Sequence, residues 1–199
     1  MARRSDHTRA ELRDIIIASA CRIIQDSGLN GLSIRKIAKD IGYTSGTLYQ
    51  HFRSLDELII ETHILTLDAL YDQLSQVEIG DTPETSLQMI AQSYLRFSAI
   101  NKNRWNALFT HTLPLGHALP QRYDDAVLRL FNIGVAALQP IFSDDDSDRA
   151  LLEARVLWSS LYGIVSLETT SNLSRFENVE TFTHTLFQNY VAGLRVRYG

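Results

Sequence analysis

The chain has 199 residues, of which 45% are apolar, and its formal net charge is −4. This length and composition predict one or two folded domains with a sizeable core and exclude an intrinsically disordered chain. The single cysteine excludes an intrachain disulfide and fits a reducing compartment, and no apolar run approaches the roughly 18 residues of a membrane span. We therefore expect a cytoplasmic protein without a membrane segment.

The charge is unevenly distributed along the chain. Residues 1–53 contain nine Lys/Arg and five Asp/Glu, a balance of +4, whereas residues 54–199 have a balance of −8. Because salt screens charges beyond about 8–10 Å, a basic region can attract phosphate even within an acidic protein. The amino-terminal region is therefore the candidate for contact with nucleic acid.

Helical spacing dominates the chain, and strand patterns are almost absent. The first predicted helix runs from about Thr8 to Ser27 and ends before Gly28, and the second follows the N-cap Ser33 and ends before Gly42. After the segment IGYTSGTLYQHF, further helices are expected at about 55–77, 83–100, 102–110, 121–140, 147–171 and 178–197, with a loop at 114–120. The predicted fold class is all-α with about nine helices. A helix-turn-helix domain over residues 1–53 precedes an α-helical bundle over residues 54–199.

The segment IGYTSGTLYQHF, residues 41–52, has one apolar and one polar side. If Leu48 points inward in a helix, Phe52 lies on the same side, and Gly46 and Gln50 point outward. A helix of about eight residues is roughly 12 Å long, and the DNA major groove, about 12 Å wide, admits it. Gly46 allows the backbone to come close, and the Gln50 amide suits adenine N6 and N7. The pattern predicts a helix-turn-helix whose second helix reads base edges.

Side chains around this face suit phosphate, which fixes register without reading sequence. They are Ser33, Arg35, Tyr49 and Arg53. Two short amphipathic helices joined by a glycine turn also fit an α-helical module that docks a protein and never binds specific DNA. Geometry alone leaves both interpretations open.

The stretch LSIRKIAKDIGYTSGTLYQHFRSLDELI, residues 32–59, closely resembles the DNA-binding signature of tetracycline-repressor-type (TetR/AcrR) regulators. The resemblance implies a homodimeric transcriptional regulator, a repressor that a small-molecule effector releases from a pseudo-palindromic operator. The resemblance, together with Arg53 from the geometry of the outer face, gives the predicted DNA-contacting residues Ser33, Arg35, Thr44, Ser45, Gly46, Thr47, Tyr49, Gln50, His51 and Arg53. Many members of the family have a phosphate-binding lysine where this chain has Leu55, so either Arg53 replaces that contact or one contact is lost.

Residues 94–109 and 157–169 resemble a subgroup of these regulators with a Trp–His–Gly signature, although Tyr162 stands where that signature has histidine. The resemblance implies a ligand cavity among the central helices and dimerisation through the last two helices. The candidate cavity residues, which could equally be plain core, are Tyr71, Tyr94, Phe97, Trp105, Phe109, Phe131, Trp158 and Tyr162. The candidate dimer residues, on stripes that could also be internal core, are Leu157, Leu161, Val165, Phe182, Leu186, Phe187 and Tyr190.

The six histidines show no i, i+4 pair of the kind that binds zinc on a helix. No acid–histidine–nucleophile set is recognisable either. We therefore predict no metal, no cofactor and no enzymatic activity.

Overall fold

The computed structural model describes residues 7–113, 118–143, 146–169 and 178–198. Residues 114–117 of the predicted loop and residues 170–171 of a predicted helix lie outside these ranges. Within them, all regular structure is helical, which confirms the all-α class. The described α-helices are α1 (Arg9–Ser27), α2 (Ile34–Ile41), α3 (Ser45–Tyr49), α4 (Leu55–Leu74), α5 (Pro83–Ile100), α6 (Lys102–Thr110), α7 (Gln121–Leu138), α8 (Ser147–Thr169) and α9 (Val179–Tyr198).

Local capping chemistry sets the helix ends of the amino-terminal region. The Thr8 hydroxyl accepts a hydrogen bond from the Glu11 N–H (3.2 Å), and the Glu11 carboxylate accepts one from the Thr8 N–H (2.7 Å), which forms a capping box. The α2 helix ends at Gly42, whose φ of 75° lies in the left-handed region that glycine adopts without strain. These signals are why the predicted bounds of α1 and α2 agree with the structure to within one residue.

The chain forms two compact units, and the first comprises residues up to 67 together with residues 101–124. Both α2 and α6 pack on α1 in this unit. Its buried cluster includes Ile16, Ile37, Leu48, Phe52, Leu58 and, from α6, Ala107. The unit therefore extends beyond residue 53, where the sequence placed the domain boundary, because α6 and the start of α4 share the core of α1.

The second unit comprises residues 68–100 and 125–199, in which α5, α8 and α9 pack together. An ion pair joins α5 to α9 in this unit, with Arg195 donating to both carboxylate oxygens of Glu84 at 2.6 and 3.0 Å. The segment Ser147–Glu168 of α8 is the one helix in the described residues that is long and apolar enough to cross a membrane by composition alone. A core helix of a soluble protein passes the same test, and α8 packs against α9 within its own chain.

Candidate nucleic-acid interface

A tight turn connects α2 to α3 and fixes where α3 begins. The Gly42 N–H reaches the carbonyl oxygens of Ala38 and Lys39, and the Tyr43 N–H donates to the Ala38 oxygen at 2.9 Å. Thr44 is the N-cap of α3, and its hydroxyl accepts from the Thr47 N–H at 3.2 Å. The turn and the cap together form the predicted helix-turn-helix.

The α3 helix is shorter than the sequence suggested. It has five residues, Ser45–Tyr49, instead of about eight, and is therefore roughly 7.5 Å long. Beyond Tyr49, the Gln50 N–H bonds to the Thr47 oxygen (3.1 Å) and the His51 N–H to the Leu48 oxygen (2.9 Å), three residues back, and the Phe52 N–H also reaches the Leu48 oxygen at 3.0 Å. We call residues 44–53 the recognition segment.

Two apolar side chains anchor the recognition segment to the first unit. Leu48 is 0% exposed and Phe52 is 1% exposed, and both belong to the same buried cluster as Ile16 and Ile37. Their inward orientation agrees with the prediction from helical spacing. Burying side chains of this size stabilises a structure by about 1.5–3 kcal/mol each, which compensates for the low intrinsic stability of a helix of five residues.

The predicted DNA-contacting side chains all remain accessible on the first unit. Ser33, Arg35, Thr44, Gly46, Tyr49, Gln50 and Arg53 are exposed, and Ser45, Thr47 and His51 are half-buried. A β-carbon added at Gly46 would meet only the Thr44 hydroxyl, at 3.7 Å. Packing inside the protein therefore does not require glycine at position 46.

The polar groups of the recognition segment are not equally available to a ligand. The Thr44 and Thr47 hydroxyls lie 3.0 Å apart and bond to each other, so part of their capacity is used within the chain. Burial, followed by repulsion from Arg9 and Arg13, lowers the pKa of His51. The lowered pKa favours the neutral form of His51, which can offer a hydrogen bond to phosphate without a positive charge.

Leu55, which stands where many TetR/AcrR-type regulators have a phosphate-binding lysine, has a packing role in this structure. Leu55 begins α4 and packs against the buried cluster of the first unit. Arg53 is the exposed cation nearest to Leu55 in sequence, and the backbone N–H of Arg53 donates to the Glu57 carboxylate at 2.7 Å. This bond involves the backbone N–H of Arg53 and not its exposed guanidinium group.

Sequence reasoning missed two arginines of α1 that contact the recognition segment. Arg13 donates to the His51 carbonyl oxygen at 2.9 Å, and Arg9 donates to the Gln50 carbonyl oxygen at 3.4 Å. The partners are 38 and 41 residues apart in sequence. No local pattern could have paired them, although the spacing of Arg9 and Arg13 does place both on one side of α1.

The eight aromatic residues predicted to line one cavity are divided between the two units, two in the first and six in the second. Trp105 and Phe109 belong to the first unit because α6 packs on α1, and their ring centroids lie 5.0 Å apart. In the second unit, Trp158 contacts Tyr94 at 5.1 Å and Phe131 at 6.1 Å.

The other three predicted cavity residues have separate surroundings. Arg129 lies 5.0 Å from the Tyr71 ring, Phe97 is buried, and Tyr162 is half-buried.

The second unit contains a partly open apolar cavity of about 30 Å³. Its lining residues are Leu87, Ile90, Gly134, Ala154, Leu157, Trp158, Leu161 and Phe187. Trp158 is the one predicted cavity residue among them. The volume is close to the share of liquid that one water molecule occupies, so this conformation has no room for a larger ligand there.

The predicted dimer stripes also differ from the structure. Leu157, Leu161, Val165 and Phe187 are buried inside their own chain, and therefore they offer no surface to a partner. Phe182, Leu186 and Tyr190 are half-buried, and the Tyr190 hydroxyl donates to the buried Glu153 carboxylate. The exposed apolar side chains of α8 are instead Leu152, Val156 and Leu167.

Two family models match the chain. A model described as bacterial regulatory proteins of the tetR family matches residues 16–62, which include the recognition segment. A second, described as a tetracyclin repressor-like C-terminal domain, matches residues 87–190, about half of the chain.

Individual proteins give the same assignment. The chain is 26% identical over 193 aligned positions to the HTH-type transcriptional regulator Rv1816 of Mycobacterium tuberculosis, covering 80% of this chain and 81% of that protein. It is 33% identical over 92 residues to the HTH-type transcriptional repressor KstR2 of Mycolicibacterium smegmatis, covering 46% and 44% respectively. A TetR transcriptional regulator from Rhodococcus sp. RHA1 superposes with a TM-score of 0.68 over 96% of this chain and all of that chain, at 14% identity, which shows a shared fold.

Proposed function

Because this chain belongs to the TetR family of bacterial transcriptional regulators, we propose that it binds operator DNA through the recognition segment as a homodimer. The observation that carries this proposal is the pairing of a firmly anchored inner side, Leu48 and Phe52, with an exposed outer side that includes Gly46 and Gln50. A protein–protein docking surface would be expected to expose a patch of large apolar side chains, and Tyr49 is the one such exposed side chain among residues 44–53. The outer side instead offers hydroxyls, an amide and a cation, which suit base edges and phosphates.

The division of roles along the recognition segment follows from the side chains. Gln50 is proposed to read a base, with Gly46 allowing the backbone to approach and Ser45 and Thr47 lying in the same groove. Phosphate contacts are assigned to the remaining predicted residues, Ser33, Arg35, Thr44, Tyr49, His51 and Arg53. His51 would act as a neutral hydrogen-bond donor, since its pKa is lowered.

A second copy of the chain is needed because one short helix reads few bases. Two-fold proteins read two half-sites about 34–36 Å apart, or multiples of that distance, on a pseudo-palindromic site. We propose that the dimer uses the exposed apolar side chains of α8 together with the half-buried Phe182, Leu186 and Tyr190 of α9. This assignment supersedes the buried stripe predicted from spacing.

We further propose repression that a small apolar effector relieves. The name of KstR2 describes that relative as a repressor, and the small cavity beside Trp158 is lined mainly by apolar side chains. Because this cavity is too small for an effector, binding would favour a conformation with a larger one and so shift the population away from the DNA-binding state. Regulation of transcription places the protein in the cytoplasm, and neither a cofactor nor a catalytic step is required.

Selection of bound duplexes from a random library tests the proposal, because it yields both the half-site and its spacing. Fluorescence anisotropy on the selected duplex should then show affinity that falls steeply as salt rises, since phosphate contacts release counterions. Enrichment of no sequence, or affinity that does not change with salt, would favour the alternative of a protein-interaction module. An operator affinity that stays constant with every effector tried would leave repression without induction.

A further inference from the structure

Arg13 of α1 makes three separate contacts, two with the end of the recognition segment and one with α4. One guanidinium nitrogen donates to the His51 carbonyl oxygen at 2.9 Å, and the other donates to the Glu61 carboxylate at 2.7 Å. The guanidinium carbon also lies 4.2 Å from the centre of the Phe52 ring. One side chain therefore joins α1, the recognition segment and α4.

The recognition segment needs such a contact at its carboxyl end. The last carbonyl groups of any helix lack partners within the helix, and a helix of five residues forms few internal bonds to hold its own direction. Thr44 caps the amino end. At the other end, the Arg9 and Arg13 guanidinium groups donate to the carbonyl oxygens of Gln50 and His51.

Glu61 holds Arg13 in this position. Its side chain is 9% exposed, and the same carboxylate oxygen pairs with Arg13 and with Arg122, at the start of α7. A buried carboxylate is costly unless it is paired. Glu61 therefore restricts the Arg13 side chain to a geometry in which it also reaches His51.

We propose that Arg13 is a positioning residue for the recognition segment and that Glu61 orients it, with neither residue touching DNA. This inference rests on the proposed function, since the reading of base edges tolerates little displacement of the segment. Loss of the contact would displace the segment, so affinity for the operator, which depends on both base and phosphate contacts, would fall more than affinity for an unrelated duplex.

The rival interpretation is that Arg13, whose side chain is one-third exposed, binds a phosphate directly. The two interpretations predict opposite effects of Glu61→Gln. If Arg13 binds phosphate, removal of a neighbouring negative charge frees it and strengthens binding to any DNA. If Arg13 positions the segment, the same substitution weakens binding to the operator.

The test measures wild type, Glu61→Gln and Arg13→Gln by anisotropy on the selected operator and on an unrelated duplex, across a series of salt concentrations. Asp68→Asn is the matched control. Asp68 lies two turns after Glu61 on α4 and pairs with Arg129 of α7, the helix that also contains Arg122. Thermal melts are recorded for every variant, and binding is measured below the melting transition.

We expect both Glu61→Gln and Arg13→Gln to lower operator affinity about tenfold and unrelated-duplex affinity by less, with the salt slope unchanged. The Asp68→Asn control should bind as wild type does. A Glu61→Gln variant that binds the operator as tightly as wild type, or more tightly, overturns the inference. So does a salt slope that falls by about 0.9 in Arg13→Gln, the value for one lost phosphate contact, or an equal loss of affinity on both duplexes.

Arg13→Gln keeps the test decisive if Glu61→Gln fails to fold, because Glu61 then retains Arg122 as its partner. The result also separates this inference from the proposed function. Failure of the wild-type protein to bind any selected duplex contradicts DNA binding itself. Normal wild-type binding with unaffected variants contradicts only the role of Arg13 and Glu61.

Discussion

Gly46→Ala should raise the stability of the protein and lower its affinity for DNA. The new methyl group would meet only the Thr44 hydroxyl, at 3.7 Å, which is ordinary van der Waals contact. Alanine is favoured over glycine in a helix by about 0.5–1 kcal/mol. For a chain of this size, that gain corresponds to a rise in Tm of roughly 2–4 °C or somewhat less.

In the complex, the same methyl group would occupy space that we assign to DNA. Forcing one extra carbon into a well-packed site costs about 1–3 kcal/mol, which corresponds to a loss of affinity of roughly five- to more than a hundredfold. Anisotropy on the selected operator measures this loss, and differential scanning calorimetry measures the Tm of the same preparation. A protein that is more stable and binds DNA less tightly cannot owe its loss of binding to unfolding.

Gly42→Ala provides the contrasting control for the thermal measurement. Position 42 also has open space around it, but its φ of 75° strains any residue with a β-carbon, by about 1–2 kcal/mol. The Tm of the Gly42→Ala variant should therefore fall, whereas the Tm of the Gly46→Ala variant should rise. Unchanged operator affinity in Gly46→Ala would refute the reasoning, because position 46 would then lie away from the DNA.

Three further outcomes follow from the structure. Gln50→Ala should relax base preference at one position of the half-site by about 1–3 kcal/mol, measured by competition with singly substituted duplexes; uniform loss would contradict base reading. Tyr49→Phe should weaken binding equally on all of these duplexes, and a sequence-selective loss would show that the outer side is assigned wrongly. Burial, with repulsion from His111, lowers the pKa of His63 to about 4. Because this lies below the usual value of about 6.5, His63 supports folding above pH 6.5, and about 2 kcal/mol of that support is lost between pH 7 and pH 5. Urea unfolding should show a weaker pH dependence in His63→Gln, and equal slopes would exclude His63 as the cause.

Local sequence signals were sufficient for most of the helix bounds and for the inner side of the recognition segment. Thr8 and Ser33 cap the helices that follow them, and Leu48 and Phe52 are buried as helical spacing predicts. Each of these features depends on atoms a few residues apart. The length of α3 was not predictable, because the chain leaves the α-helical pattern at Gln50 while keeping its apolar spacing through Phe52.

Contacts between distant parts of the chain were outside the reach of pattern reasoning. Arg13 and Glu61 are 48 residues apart, and nothing in the local sequence selects one as the partner of the other. The aromatic residues show the same limit. Helical spacing identifies a side chain that will be buried, but helix packing decides where. Trp105 belongs to the first unit because α6 packs on α1, and Tyr94 to the second because α5 packs on α9.

The α8 helix shows most clearly how one sequence pattern supports several interpretations. Its composition satisfies a test for membrane spans, and its apolar spacing suggested a dimer stripe. Both results arise because α8 carries apolar side chains on more than one side: Leu157 and Leu161 face the interior of their own chain, while Leu152 and Val156 are exposed. A helix that is apolar on several sides needs more than one partner. The chain supplies the inner partner through α9, and a second copy of the chain would supply the outer one in the proposed dimer.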